Sequence, residues 1–214
     1  MKSGQITAVR QDHRQKKRYH IEVEHEYAFS VHEDILIKYK LFRGTAIDEN
    51  LREEVLCAEE RRQAYLACLR LLGIKPRTKR QLKSHLLAKG YSEQVAEDVC
   101  GQLANQGYID DLAYARQWVE ERLRLKPRSA RMLRMELAQK GLEKAIVDEA
   151  LQAVTPEDEL AAARALVEKK LRRCAGRPGP EEEKKLLAML ARKGFSSPIL
   201  WQVRSELRRR GESG

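Results

Sequence analysis

Lysine and arginine side chains set the chemistry available to this sequence. Lys75, Arg77, Lys79, Arg80, Lys83 and Lys89 follow one another with no acid between positions 75 and 90. Arg122, Arg124, Lys126, Arg128, Arg131 and Arg134 repeat the theme, and Lys169, Lys170, Arg172, Arg173 and Arg177 extend it. Such runs neutralise phosphates and release their counterions, which gives salt-sensitive and sequence-tolerant binding. A formal charge of +10 at pH 7 makes polyanions the first partners to consider. The residues expected to form one basic ridge are Lys75, Arg77, Lys79, Arg80, Lys83, Arg124, Lys126, Arg128, Arg131, Arg134, Lys170 and Arg173.

Bond-making chemistry is missing by comparison. Asp110-Asp111 is an adjacent carboxylate pair, but a two-metal site needs acids converging from separate elements. The pair reads as a helix cap at the start of a helix through Tyr114, Trp118 and Leu123. His13, His20, His25 and His32 lie in a strand-like region and only His85 in a helix, with no nucleophile–base pair and no glycine-rich phosphate loop. Cys57, Cys68, Cys100 and Cys174 lack zinc-ligand spacing and read as buried or semi-buried thiols in a reducing compartment. No enzyme, metal or cofactor is expected. No apolar run approaches the ~20 residues that span a bilayer, so a cytoplasmic chain with no membrane partner is the simplest expectation.

The elements that must carry these cations repeat. Leu82-x3-Leu86-x2-Lys89-Gly90-Tyr91, Leu133-x3-Leu137-x2-Lys140-Gly141-Leu142 and Leu186-x3-Leu190-x2-Lys193-Gly194-Phe195 share one pattern, at intervals of 141−90 = 51 and 194−141 = 53 residues. Pro76, Pro127 and Pro180 each stand fourteen residues before the glycine. Beyond it, Val95, Val99, Leu103; Ile146, Ala150, Val154; and Ile199, Val203, Leu207 fall at +5, +9 and +13. Each unit is therefore a helix, a second helix ended by a left-handed glycine, a tight turn and a third helix. Thr78 with Gln81 makes a capping-box pattern, Ser129 is the matching cap, and unit three substitutes Pro180 followed by Glu181–Glu183.

Before the repeats, residues 5–43 follow a period of two. Ile6 and Ala8; Tyr19, Ile21 and Val23; Tyr27, Phe29 and Val31; and Ile35, Ile37, Tyr39 and Leu41 predict three or four antiparallel strands closed by Arg43-Gly44. Asp48 can cap a helix carrying Leu51, Val55 and Leu56, and a second apolar series at Tyr65, Leu69 and Leu72 leads into the first unit. Gly176-Arg177-Pro178-Gly179 reads as a loop within the third. The expected fold is mainly α: an elongated tandem array of three three-helix, helix-turn-helix-like repeats with a small N-terminal antiparallel β-region. Its expected segments are 1–44 for the β-region, 45–109 for a linking helix and the first repeat, 110–155 for the second and 156–214 for the third.

Three-helix units with a tight turn invite a major-groove reading, in which the last helix contacts bases. The charge pattern opposes it. The third helix of unit one holds Glu93, Glu97 and Asp98 with no Lys or Arg, and in unit two Glu143, Asp148 and Glu149 face only Lys144. Only unit three, with Arg204 and Arg208-Arg209-Arg210, is basic there.

The order Arg18-Tyr19, Ala28-Phe29-Ser30-Val31, Leu41-x2-Gly44, Arg77-Thr78-x2-Gln81-Leu82 and Leu103-x3-Gly107-Tyr108-Ile109-Asp110-Asp111-x2-Tyr114-Ala115 resembles the RecX family over nearly the whole chain. Pro127-x-Ser129-x7-Glu136-Leu137-x2-Lys140-Gly141-Leu142 continues the match, while Glu181-Glu182 stand where the first two units have Arg-Thr and Arg-Ser. The resemblance implies a non-enzymatic, monomeric regulator of the RecA recombinase. Such a protein lies along the RecA–DNA filament, mainly inhibits its assembly, recombinase and coprotease activities, and meets single- and double-stranded DNA weakly. A general DNA-architectural protein and a helix-turn-helix transcription regulator are the alternatives.

Overall fold

The computed structural model describes residues 4–172 and 179–212. It is mainly helical and divides into two compact units. One holds the N-terminal sheet and the first repeat from Leu82 to Ile109; the other holds Arg77–Gln81 together with the second and third repeats.

In the first unit, β1 (Gly4–Gln11), β2 (Arg18–Val23), β3 (Glu26–His32) and β4 (Ala46–Ile47) form an antiparallel sheet in the order β3-β2-β1-β4. Val9 pairs with Ile21 and Ile21 with Phe29, so one face collects Ile6, Ile21, Phe29 and Val31 into the core. The alternation at Ile35, Ile37, Tyr39 and Leu41 does not give a strand. Glu33–Lys38 is a helix, α1, because His32 accepts the Asp34 amide through Nδ1 and two acids occupy the first turn. The helix buries Ile35 and Leu36 and turns Ile37 out, 65% exposed, where a strand would have kept Ile35 and Ile37 on one face. The sheet's last strand lies beyond Gly44, where Gly4 pairs with Ile47.

Helix α2 (Glu49–Leu72) is one continuous element that serves two cores. Asp48 caps it through the Leu51 amide at 2.8 Å. Its first half puts Leu51, Val55 and Ala58 against the sheet, and its second half puts Ala64, Tyr65 and Cys68 into the first repeat. Glu59, only 4% exposed, ties it to the sheet by accepting from Arg18 Nη1 (3.0 Å), the His32 amide (2.7 Å) and Gln63 Nε2 (2.8 Å). A buried carboxylate needs such a full set of donors. Helices α3 (Lys79–Ala88) and α4 (Glu93–Asn105) complete the repeat around Leu82, Leu86, Val95, Val99 and Leu103. Cys68 and Cys100 sit in this core, and burial, aided by Cys100, pushes the Cys68 thiol up to about 12. Cys57 is exposed, contrary to the expectation of a buried or semi-buried thiol, because α2 turns it away from both cores. Cys174 and the Gly176–Pro178 stretch lie outside the described residues.

The second unit contains α5 (Asp111–Leu125), α6 (Ala130–Gln139) and α7 (Lys144–Leu151), then α8 (Pro156–Leu171), α9 (Pro180–Arg192) and α10 (Ser197–Glu212). All three repeat glycines have positive φ: Gly90 +89°, Gly141 +84° and Gly194 +82°. The amides of Tyr91, Leu142 and Phe195 reach back to the carbonyls of Leu86, Leu137 and Leu190 at 3.2–3.3 Å, and each glycine amide reaches the carbonyl three residues earlier. These are Schellman endings at all three turns.

Within the second unit the turns also receive a neighbour. Thr78 donates its hydroxyl to the Lys140 carbonyl at 2.8 Å, and Ser129 donates to the Lys193 carbonyl at 2.7 Å. The same hydroxyls accept the Gln81 and Met132 amides, both at 3.2 Å, as N-caps. Alongside, Lys79 N donates to Asp111 Oδ1 (2.9 Å) and Ala130 N to Glu159 Oε1 (2.7 Å). Asp110, not Asp111, caps α5, accepting the Ala113 amide at 2.8 Å. Asp111 caps α3 instead, and burial pushes its carboxyl above the usual range against the Lys79 amide that lowers it. Thus, within this unit, the start of a second helix is fastened to the following repeat by the same two bonds, one to its glycine turn and one to its first helix, twice. The third repeat begins α9 at Gly179-Pro180 with no capping side chain.

Thr78→Val and Ser129→Ala each remove an N-cap and leave a lysine carbonyl without its donor, at a cost of about 1–3 kcal/mol in urea unfolding. Ser92, which only caps α4 through the Val95 amide, is the control, and Ser92→Ala costs about 1 kcal/mol. Equal losses for Ser129→Ala and Ser92→Ala would remove the second role assigned to Ser129.

Candidate nucleic-acid interface

The expected ridge residues fall into three groups once their partners are seen. The first group is engaged by acids. In the first unit, Lys83 lies 3.0 Å from both Glu93 and Glu97, and the hydrogen bonds from Glu97 and then Glu93 hold its ammonium above the usual lysine range. In the second unit, Arg134 pairs with Asp148 at 3.1 Å and Arg128 with Glu136 at 3.0 Å. Acids of the third helices therefore serve as internal counterions to the second helices, so α4 and α7 bring paired carboxylates rather than a basic face to any DNA groove.

A second group is held by packing. Arg80 and Arg131 each stand ten residues before their own glycine (90−80 and 141−131), and each lays its stem on the next repeat's turn. A Cβ at Gly141 would strike Arg80, and one at Gly194 would come within 3.1–3.2 Å of Arg131. The aliphatic stems cover the glycine while the residues as a whole remain exposed, so the guanidinium heads meet water. Arg77 is half-buried, and its Nε has no hydrogen-bond partner. Lys79 fixes its backbone on Asp111.

The third group, Lys75 in the first unit and Arg124, Lys126 and Lys170 in the second, is exposed. Arg124 and Lys126 flank the end of α5, where cations also complement the helix dipole. Arg173 lies outside the described residues.

One cluster escaped the sequence reading. Tyr114 and Trp118 stack with centroids 6.1 Å apart and planes 15° from parallel. The Arg122 guanidinium lies 3.9 Å from the Trp118 ring centre, and Lys140 Nζ lies 4.7 Å from it. Glu136 takes Trp118 Nε1, Arg122 Nε and Arg128 Nε, each at 3.0 Å. Burial pushes the Glu136 carboxyl upward, but the Arg128, Arg122 and Trp118 bonds outweigh it and hold the group below the usual range. Glu136 thus fixes two arginines by their Nε atoms. Lys140 links the cluster to the turn that Thr78 grips. The available signal was the i, i+4, i+8 spacing of Tyr114, Trp118 and Arg122, which reads equally well as an ordinary core stripe.

Among the described residues, no group of three or more His, Cys, Asp or Glu could hold a metal ion, and no helix is long and apolar enough to cross a membrane.

Comparison with known proteins matches the chain to four family descriptions. Residues 4–48 match the "Regulatory protein RecX N-terminal domain", and 64–103, 110–151 and 157–203 match the first, second and third three-helix domains of RecX. A "Regulatory protein RecX" from Limosilactobacillus reuteri is 32% identical over 194 residues, covering 91% of this chain and 74% of the relative. One from Bacillus cytotoxicus is 31% identical over 207 residues, covering 95% and 77%. Among solved structures, "Crystal structure of regulatory protein RecX" aligns with a TM-score of 0.80 and 30% identity, over 94% of this chain and 99% of that one. The RecX from Lactobacillus salivarius aligns at 0.65 with 23% identity, over 71% and 98%, a likeness of fold.

Replacing Arg124, Lys126 and Arg131 together with Gln should lower the slope of log affinity against log salt for duplex DNA. The fall is about 0.9 for each phosphate the variant no longer neutralises. Lys83→Gln, whose ammonium already serves Glu93 and Glu97, should leave that slope near its starting value. A triple variant with unchanged affinity and slope would reduce these residues to a solvated surface.

Proposed function

The chain belongs to the RecX family of regulatory proteins, and on that premise we propose that it is a non-enzymatic regulator of the RecA recombinase. It acts as a cytoplasmic monomer, binds along the RecA–DNA filament, and mainly inhibits filament assembly with its recombinase and coprotease activities. Single- and double-stranded DNA are its weaker, sequence-tolerant partners.

The observation that carries this reading is the recurrence of Arg80 and Arg131 at the same place in consecutive, fastened repeats. A filament offers identical subunits and phosphates at regular intervals. Repeated modules in one chain can engage several at once, and each further engagement is intramolecular. Linkage of this kind raises avidity by about 10²–10⁴ over a single module. The ion-paired acids of α4 and α7 oppose the transcription-regulator reading, since a base-reading helix needs free donors in the groove.

The test is recombinase ATP hydrolysis on single-stranded DNA with the full chain titrated in, beside binding to the same DNA without recombinase. Hydrolysis should fall at concentrations where bare DNA is largely unbound. The Arg80→Gln/Arg131→Gln double variant should require at least tenfold more protein for the same inhibition, in keeping with the avidity argument. Full-length protein without effect at micromolar concentration would overturn the function. Inhibition that tracks bare-DNA occupancy would make it a DNA-architectural protein.

A further inference from the structure

The third repeat reverses the charge plan of the other two. Seven residues before and seven after the glycine, the first repeat places Lys83 and Glu97 (90−7, 90+7) and the second Arg134 and Asp148 (141−7, 141+7), each an ion pair. At the same two offsets the third repeat has Leu187 and Trp201 (194−7, 194+7). Trp201 is 72% exposed, on the side of α10 opposite the buried Ile199, Val203 and Leu207. The indole thus stands in water at a position that elsewhere carries an ion-paired carboxylate, and its ring is free to stack on a flat partner.

The neighbours of Trp201 indicate what that partner is. Arg204 and Arg208 follow at i+3 and i+7, so they share its helix face, one to two turns along. Their side chains are 47% and 58% exposed. Glu183 of α9 holds Arg204 through Nε at 2.9 Å and stands 3.7 Å from Arg208 Nε. The Arg204 fork is thereby oriented with its terminal nitrogens unclaimed by that bond. An exposed indole in line with two oriented guanidinium groups offers one face for an unpaired base and donors for the adjoining phosphates. Duplex DNA has its bases stacked internally and cannot use the indole.

We propose that Trp201, Arg204 and Arg208 form a single-stranded DNA site on the third repeat. Trp201 stacks on an unpaired base, Arg204 and Arg208 contact its flanking phosphates, and Glu183 is the positioning residue. This deepens the nucleic-acid part of the function above, and its test needs no recombinase.

The experiment measures binding of the full-length protein to a fluorescein-labelled oligo(dT) and to a duplex of the same length, by anisotropy across a salt series. Trp201→Ala should weaken oligo(dT) binding about fivefold or more, the lower end of what removing a base–aromatic stack costs. Trp201→Phe should retain most of the affinity, and duplex binding should be unchanged in both. Arg204→Gln/Arg208→Gln should lower the single-strand salt slope by about 0.7 for each phosphate no longer neutralised. Because Trp201 is exposed, its variants should unfold at the parent's urea midpoint. Unchanged oligo(dT) affinity in Trp201→Ala would overturn the site, as would equal weakening on single strand and duplex. Failure of the recombinase reading alone would leave these oligonucleotide results standing.

Discussion

A buried hydroxyl that must both accept and donate constrains the second unit more tightly than any apolar packing. Thr78 and Ser129 are fully buried, and each has one lone pair committed to its own helix and one proton committed to a carbonyl of the following repeat. Hydrophobic packing is tolerant of small slides and rotations; two hydrogen bonds from a single oxygen are not. The paired carboxylates of Asp111 and Glu159 reach the neighbouring amide and fix the angle further. Once this geometry is set, the stems of Arg80 and Arg131 have one place to lie, across the glycine of the next turn. The glycine is then required twice, for its left-handed φ and for the absence of a Cβ under the arginine.

Counterions arranged inside the repeats decide which positive charges remain available. Lys83 and Arg134 answer to acids on the third helix of their own repeat, and Arg122 and Arg128 answer to Glu136. The more exposed of these pairs, at Lys83 and Arg134, contribute little stability. Their larger effect is on charge distribution, since they quench the third helices of the first two repeats as DNA readers. In the third repeat the acid lies on the second helix, at Glu183, and the arginines lie on the third, at Arg204 and Arg208. The family relationship covers all three repeats, so a common backbone plan carries two electrostatic plans.

Local signals explain what could be read from sequence. The glycine turns were legible because a Schellman ending is specified within six residues: a glycine, an apolar residue after it and its partner five residues before. The Thr78–Gln81 box was legible for the same reason. The bonds from Thr78 and Ser129 to the next repeat were not, because sixty-odd intervening residues separate the partners and a cap already accounts for a Ser or Thr there. At Ile35–Leu41 the period of two was real in the sequence but coincidental: helix α1 buries two adjacent residues, and Tyr39 closes it. The basic residues were legible as a class, while their engagement was not, since Glu136 on α6 serves three donors, two from α5 and one from the loop between the helices. Trp201 carried a signal that only comparison between repeats brings out, namely an aromatic where the other repeats hold an acid.

Hydrogen exchange at two backbone amides tests the fastening of the repeats most directly. Lys79 and Ala130 open α3 and α6, where amides have no partner inside the helix and ordinarily exchange fast. Here they donate to Asp111 and Glu159. Both should be protected to the level of the Leu133 amide in the adjoining core, and Ser129→Ala should abolish protection at Ala130 while sparing Leu137. Exchange at Lys79 and Ala130 as fast as at Glu93, the first residue of α4, would contradict the account.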